Sequence, residues 1–276
     1  TRTFVYYNGS DVTSKKDAAL RNILFERDYF KEHILGNAAK AETHRICHET
    51  SEDALTWNVF SKLASGGFLH GLVSKLASVD IETEPELYLW GLNIRFDDSV
   101  TPLLFPPLKA ARRIFEKGVS KFLTEPDIML YVPDQILVLV EAKFTSGNTT
   151  ALVSTTQDIN GEKPKSREGI LGRYPPTAIP HDALHAPSSS GPFYSQLYRN
   201  LLFAMWMAKE LGVRWGMVNL VGQDQFDQRK HKDEFQDPTN FVQSLLPEKE
   251  YDQFLFYSWE QLYTDQISKA TGLNDL

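Results

Sequence analysis

Apolar and polar positions along this chain sort into helix-period and strand-period stretches that alternate from one end to the other. Residues 15 to 40 predict a helix anchored by Leu20, Ile23, Leu24, Tyr29 and Ile34. "TSEDALTWNVFSKLASGGF" predicts a second helix with the stripe Leu55, Val59 and Leu63. Thr50 reads as its N-cap, Asp53 as the third helical position, and the Gly66-Gly67 pair as its end. "ELYLWGLNIRF" (86 to 96) predicts one strand, and "FPPLKAARRIFEKGVSKFL" a helix entered through prolines. "TEPDIMLYVPDQILVLVEAKF" (124 to 144) predicts two strands around a Pro133-Asp134 turn. The second contains a continuous apolar run, Ile136 to Val140, which is the pattern of a strand buried on both faces. Farther on, "FYSQLYRNLLFAMWMAKELG" predicts a helix stopped by Gly212, and "VRWGMVNLVG" a strand. "TNFVQSLL" predicts a short helix, and "QFLFYSWEQLYT" starts as a strand. This alternation is that of an α/β protein. No repeat and no clear linker interrupts it, so a single domain over 1–276 is expected.

One segment breaks the pattern. Residues 145 to 190 are rich in Ser, Thr, Gly and Pro, which predicts a long, loop-rich insertion. It leaves the strand directly after Lys143, so it should lie near whatever that strand end does. Its Lys163, Lys165, Arg167 and Arg173 could then meet phosphates.

The buried strand ends in charge. Glu141 and Lys143 flank Ala142 and share one pleat face, because side chains alternate along a strand. A three-residue turn, Pro133 to Gln135, would place Asp127 opposite Glu141. A two-residue turn would oppose Asp127 to Val140, on the wrong face. In the first register two carboxylates and a lysine meet at the end of a buried hairpin, at the sheet edge nearest Gln196. Close carboxylates repel, and each is costly to bury alone. A divalent cation removes both problems, and Mg²⁺ takes one or two carboxylates plus water and phosphate oxygens. With a lysine beside it to orient or deprotonate water, the set suits phosphodiester hydrolysis. A plain ion pair at a strand end is the competing explanation.

The residues Glu125-Pro126-Asp127, followed by Glu141-Ala142-Lys143, resemble the motif of the PD-(D/E)XK nuclease superfamily, the fold of many restriction endonucleases. The order of predicted elements from about 50 to 222 is similar to that family's core: a helix, a three-stranded antiparallel meander, a helix and a further strand. The resemblance implies a restriction-endonuclease-like core with a mixed central sheet flanked by helices. A helical N-terminal extension would precede the core and a C-terminal extension, 223–276, would follow it. It implies a Mg²⁺-dependent endonuclease acting on DNA, with Mn²⁺ able to substitute. Asp127, Glu141 and the Ala142 carbonyl would hold the metal, and Lys143 would activate or position water. Glu52, at the head of the first core helix, would support a metal or a water. Its other explanation is a carboxylate favoured by a helix N-terminus. Gln196 would orient the site or the strand. The RecB-like branch places a tyrosine four residues after that glutamine, where this chain has Asn200, so the resemblance is to the superfamily rather than to that branch. A non-catalytic nucleic-acid- or protein-binding module on the same fold is the alternative reading, and a non-nuclease hydrolase on an unrelated α/β fold a third.

Other features change the picture less. The net charge is −7, so nucleic-acid contact would depend on local patches such as Lys109, Arg112, Arg113, Lys117 and Lys121. These also read as an ordinary solvated helix face. His44, Cys47 and His48 lie close in sequence, but one cysteine makes a structural zinc site a poor fit. His181 and His185 fall in the insertion, where a surface role is the simpler reading. There is no GxxxxGK[ST] run and no GxSxG. A single cysteine, no signal-peptide core and no long apolar stretch lead to the expectation of a soluble, cytoplasmic protein with no membrane span. A concerted double-strand cut would require a dimer.

Overall fold

The computed structural model describes residues 17–35, 46, 48, 51–97, 100–119, 123–144, 148, 167–179, 183–188, 193–223 and 238–267. Its centre is a six-stranded mixed sheet in the order β2-β1-β3-β4-β5-β6. The strands are β1 (Glu86–Leu89), β2 (Leu92–Ile94), β3 (Ile128–Val132), β4 (Ile136–Ala142), β5 (Arg214–Val221) and β6 (Phe254–Ser258). Strands β1 to β4 pair antiparallel, while β4–β5 and β5–β6 are parallel. The principal helices are α1 (Glu52–Ser65), α2 (Leu69–Ala77), α3 (Pro106–Phe115), α4 (Arg167–Arg173), α5 (Ser195–Leu211) and α6 (Pro238–Leu245). The fold is therefore α/β, an open mixed sheet covered by helices. Among the described residues no helix is long and apolar enough to cross a membrane.

All seven residues of β4 are buried, as its continuous apolar run requires. Its even-numbered residues, Ile136, Val138, Val140 and Ala142, pack with α1 and α2 in one core layer. Leu137 and Leu139 pack with α3 and α5 in the other. Glu141 continues the second series, so its side chain leaves the sheet toward α5. The parallel β4–β5 pair is bridged by α5, whose C-terminus is closed by Gly212 in the left-handed conformation (φ 68°).

Four local expectations are corrected. The predicted helix over 15–40 is not continuous in its described part: it breaks after Leu20–Asn22 and restarts at Arg27 beyond a left-handed Glu26. Leu24, expected as an anchor, is 71% exposed. The N-cap of α1 is Ser51, whose hydroxyl accepts from Ala54 N at 3.1 Å, so Asp53 is the second helical residue and forms no capping box. The single strand expected over 86–96 is a hairpin, with Trp90 and Gly91 both at positive φ in its turn. A tryptophan accepts that backbone because its ring is buried in the core, stacked 6.5 Å from Trp57. Gly91 has a steric reason as well as a conformational one. At φ +87°, an added Cβ would sit 2.7 Å from Leu108 and 2.9 Å from Leu104. Gly91→Ala is expected to destabilise the fold by more than about 1 kcal/mol, read as a lower urea midpoint at unchanged slope.

Part of the insertion also differs from expectation. Its described residues include the helix α4 and a 3₁₀ turn, Pro176–Ala178, and they pack into the α5 core layer through Ile170, Tyr174, Ile179 and Leu184. Arg167 is buried over the Phe193 ring rather than presented to solvent. Lys163, Lys165, Lys121, His44, Cys47 and His181 lie outside the described residues.

Candidate active site

The β3–β4 turn determines whether the charges can meet. Val132 pairs with Ile136, so the loop has three residues, with Asp134 left-handed at φ 61°. Ile128 pairs with Val140, and the next step of that register sets Asp127 opposite Glu141. Asp127 lies one residue before β3, so ladder pairing ends just short of it. Its carbonyl accepts from Trp90 N at 3.1 Å, and its Oδ2 accepts from Ala142 N at 2.8 Å. The carboxylate thus reaches across to the backbone between Glu141 and Lys143.

Glu141 is held from two sides. Lys143 Nζ donates to Oε1 at 2.5 Å, and Asn200 Nδ2 donates to Oε2 at 2.6 Å. Lys143 Nζ also lies 3.3 Å from the Ala142 carbonyl. Glu141, Lys143 and Asn200 are all buried. The group lies at the C-terminal end of β4 with β3 and β5 on either side, so it occupies the interior of the sheet rather than the edge that the sequence suggested. Asn219, the register partner of Glu141 on β5, is also buried and accepts from Asn148 Nδ2 at 3.1 Å.

The electrostatics follow from that burial. Removal from water, then the charge of Glu141, pushes the Asp127 carboxyl well above the usual carboxylate range. Lys143 and the Ala142 N–H pull the other way without offsetting it, and Asp53 adds to the rise. Burial alone would depress the Lys143 ammonium. The charges of Glu141 and Asp127, the hydrogen bond to Glu141 and the charge of Glu52 reverse this and hold it above its ordinary value. The ammonium form of Lys143 is thus favoured by the two carboxyl groups beside it.

A raised carboxyl pKa has a definite sign in stability. As pH rises from about 4, Asp127 ionises in the unfolded chain first, while the folded chain keeps its proton to higher pH. Stability from this group is present below that range and is lost as pH passes the folded value. Asp127→Asn removes the titration and keeps an oxygen for the Ala142 N–H. It should raise stability at pH 7, and the gain should shrink toward pH 4. Thermal melts across that range without divalent cation check it.

The chemistry of the donor set suits a hard cation. Asp127 and Glu141 supply carboxylate oxygens whose mutual repulsion a divalent ion would relieve, and the Ala142 carbonyl points at the same place, since Lys143 Nζ touches both it and Glu141. Among the described residues no three His, Cys, Asp or Glu side chains converge to hold a metal on protein ligands alone. Mg²⁺ commonly needs only one or two carboxylates, the rest being water and phosphate.

The other two candidates sit at different distances from this centre. Glu52 is the first residue of α1, and its Oε1 accepts from Phe144 N at 2.9 Å. It therefore grips the backbone next to Lys143, while its charge acts on Lys143 through space. Gln196 is partly buried one turn before Asn200 on α5, and its side chain makes no hydrogen bond among the described residues. The residue of that helix on Glu141 is Asn200, at the i+4 place from Gln196. Two contacts have no sequence signal. Trp259 Nε1 donates to the Lys143 carbonyl at 2.9 Å, and Lys143 N donates to the Leu220 carbonyl at 2.7 Å. The basic helix face is partly engaged. Arg112 Nε donates to the Thr124 carbonyl at 2.9 Å, while Lys109, Arg113 and Lys117 remain exposed. No family model matches this chain, and no curated protein and no solved structure matches it at a significant level.

Proposed function

We propose that this chain is a divalent-cation-dependent deoxyribonuclease on a restriction-endonuclease-like core. The observation that carries the reading is the three-residue β3–β4 turn, which opposes Asp127 to Glu141 with Lys143 Nζ 2.5 Å from the latter. The element order supports it: α1, the antiparallel β1–β3–β4 set, α5, then β5 parallel to β4. Asp127, Glu141 and the Ala142 carbonyl would hold Mg²⁺ or Mn²⁺, which supplies charge for the phosphate and a more acidic bound water. Lys143 Nζ, held beside Glu141 and the Ala142 carbonyl, would present positive charge to the phosphoryl oxygens as negative charge builds there. Asn200 fixes the carboxylate plane of Glu141, and Glu52 fixes the backbone that carries Lys143. Gln196, one turn along the same helix, would orient the site or the strand. The exposed Lys109, Arg113 and Lys117 are suited to phosphate contacts, which an otherwise acidic chain needs.

A second reading, a nucleic-acid- or protein-binding module without turnover, is favoured by one observation: both Glu141 oxygens already have protein donors. Plasmid and single-stranded DNA incubated with Mg²⁺, with Mn²⁺ and with chelator separate the two. Cation-dependent strand cleavage supports the nuclease. DNA retention without cleavage under every cation condition supports the binding module.

A further inference from the structure

Asp127 stands outside the β3 ladder, so something other than strand pairing must hold its carboxylate in place. Three residues earlier, Thr124 is 2% exposed and has its N–H, hydroxyl and carbonyl all engaged by charged side chains. Its N–H and its hydroxyl both donate to Glu116 Oε1, at 2.7 and 2.6 Å. The hydroxyl also accepts from Arg199 Nη1 at 3.3 Å, and the carbonyl accepts from Arg112 Nε at 2.9 Å. Glu116, itself 3% exposed, takes a further hydrogen bond from the Tyr174 hydroxyl at 2.6 Å. Hydrogen bonds to ions are the strong class, and those of Glu116 and Arg199 are buried, while that of Arg112 is partly buried. Between Thr124 and Asp127 lie only Glu125 and Pro126, and proline holds its own φ near −65°. The Asp127 carbonyl is then caught by Trp90 N–H. Arg199 precedes Asn200 on α5, so one turn of helix touches both Thr124 and Glu141.

We propose that Thr124, braced by Glu116, Arg112 and Arg199, is a positioning site that sets the Asp127 carboxylate against Glu141. The inference rests on the nuclease reading for what Asp127 does, but not for how Asp127 is held. The brace explains why three charged side chains, each costly to bury, converge on one threonine beside the candidate site. A charged network whose only task was packing would have no reason to bind both the N–H and the carbonyl of Thr124, three residues before Asp127.

Thr124→Val keeps the shape and the backbone bonds but removes the hydroxyl. Thr124→Ser keeps the hydroxyl. Because Ala142 N–H donates to Asp127 Oδ2, its hydrogen exchange in the cation-free protein reports whether that carboxylate is in place. Leu139, in the same strand, reports on the ladder alone. Thr124→Val is expected to speed exchange at Ala142 by about tenfold and leave Leu139 unchanged. In a protein that cleaves DNA, it should lower kcat several-fold at unchanged KM, and Thr124→Ser should restore both readings. Unchanged exchange at Ala142, equal acceleration at both amides, or selective exchange with parental kcat would each overturn the brace. Should the parent cleave no DNA at all, the proposed activity fails, while the exchange measurement still decides how Asp127 is held.

Discussion

Lys143→Ala is expected to lower cleavage by about 10²–10³ and, in the cation-free protein, to cost about 3–5 kcal/mol of stability. The stability loss arises because Glu141 is 2% exposed and loses its one charged hydrogen-bond partner, leaving a buried carboxylate with only Asn200 as donor. The loss of turnover arises because a fixed ammonium at the phosphoryl oxygens has no substitute in alanine. Removal of one such preorganised donor typically lowers kcat by about 10²–10³. A divalent cation should restore much of the lost stability, because it replaces the missing positive charge between Glu141 and Asp127. Thermal melts of parent and variant, each with and without Mg²⁺, read this directly. A larger cation-induced rise in Tm for Lys143→Ala than for the parent is the expected result. Cleavage by Lys143→Ala at the parental rate would remove Lys143 from the mechanism.

The second large effect comes from the other end of the pair. Glu141→Gln should lose divalent-cation binding by calorimetry and lose cleavage with it, because an amide lacks the charge a hard cation prefers. The variant also strands Lys143, which keeps the Ala142 carbonyl and the nearby carboxyl groups of Asp127 and Glu52. It should therefore be less stable than the parent by a few kcal/mol. Combining Glu141→Gln with Lys143→Met removes both charges at near-constant volume. The double variant should be more stable than either single one, since a buried pair is destabilised mainly by removing one partner. Binding of Mg²⁺ by Glu141→Gln as tight as the parent's would overturn the proposed metal site.

The legible parts of this protein are those in which local pattern and burial agree. The run Ile136 to Val140 could be read as a two-face strand because nothing polar interrupts it, and α5 could be read from its apolar turns and Gly212. The opposition of Asp127 and Glu141 was legible only up to a choice between two turn lengths, which one residue of loop decides. The β1–β2 hairpin was hidden because Trp90 is a poor occupant of a left-handed turn by local preference, and its core stacking on Trp57 overrides that preference. Asn200 was visible as the i+4 neighbour of Gln196, but family resemblance drew attention to the glutamine, while distance selects the asparagine. The grip of Thr124 and of Trp259 on the site had no local signal at all, because each joins residues far apart in the chain.

That separation has a consequence for synthesis. The Lys143 carbonyl is bound by an indole that lies 116 residues later in the chain. At a translation rate of about 5–20 residues per second, Trp259 follows Lys143 by roughly 6–23 s. During that interval the β3–β4 hairpin can form, but the backbone carrying Lys143 has neither its β5 neighbour nor its tryptophan latch for most of the time. A nascent chain would therefore carry all the charged residues of the site before it could hold them in register. An activity that cuts DNA would in this way stay dormant on the ribosome until Trp259 has been made, and ribosome-bound chains arrested before residue 259 should show no cleavage where released, longer chains do.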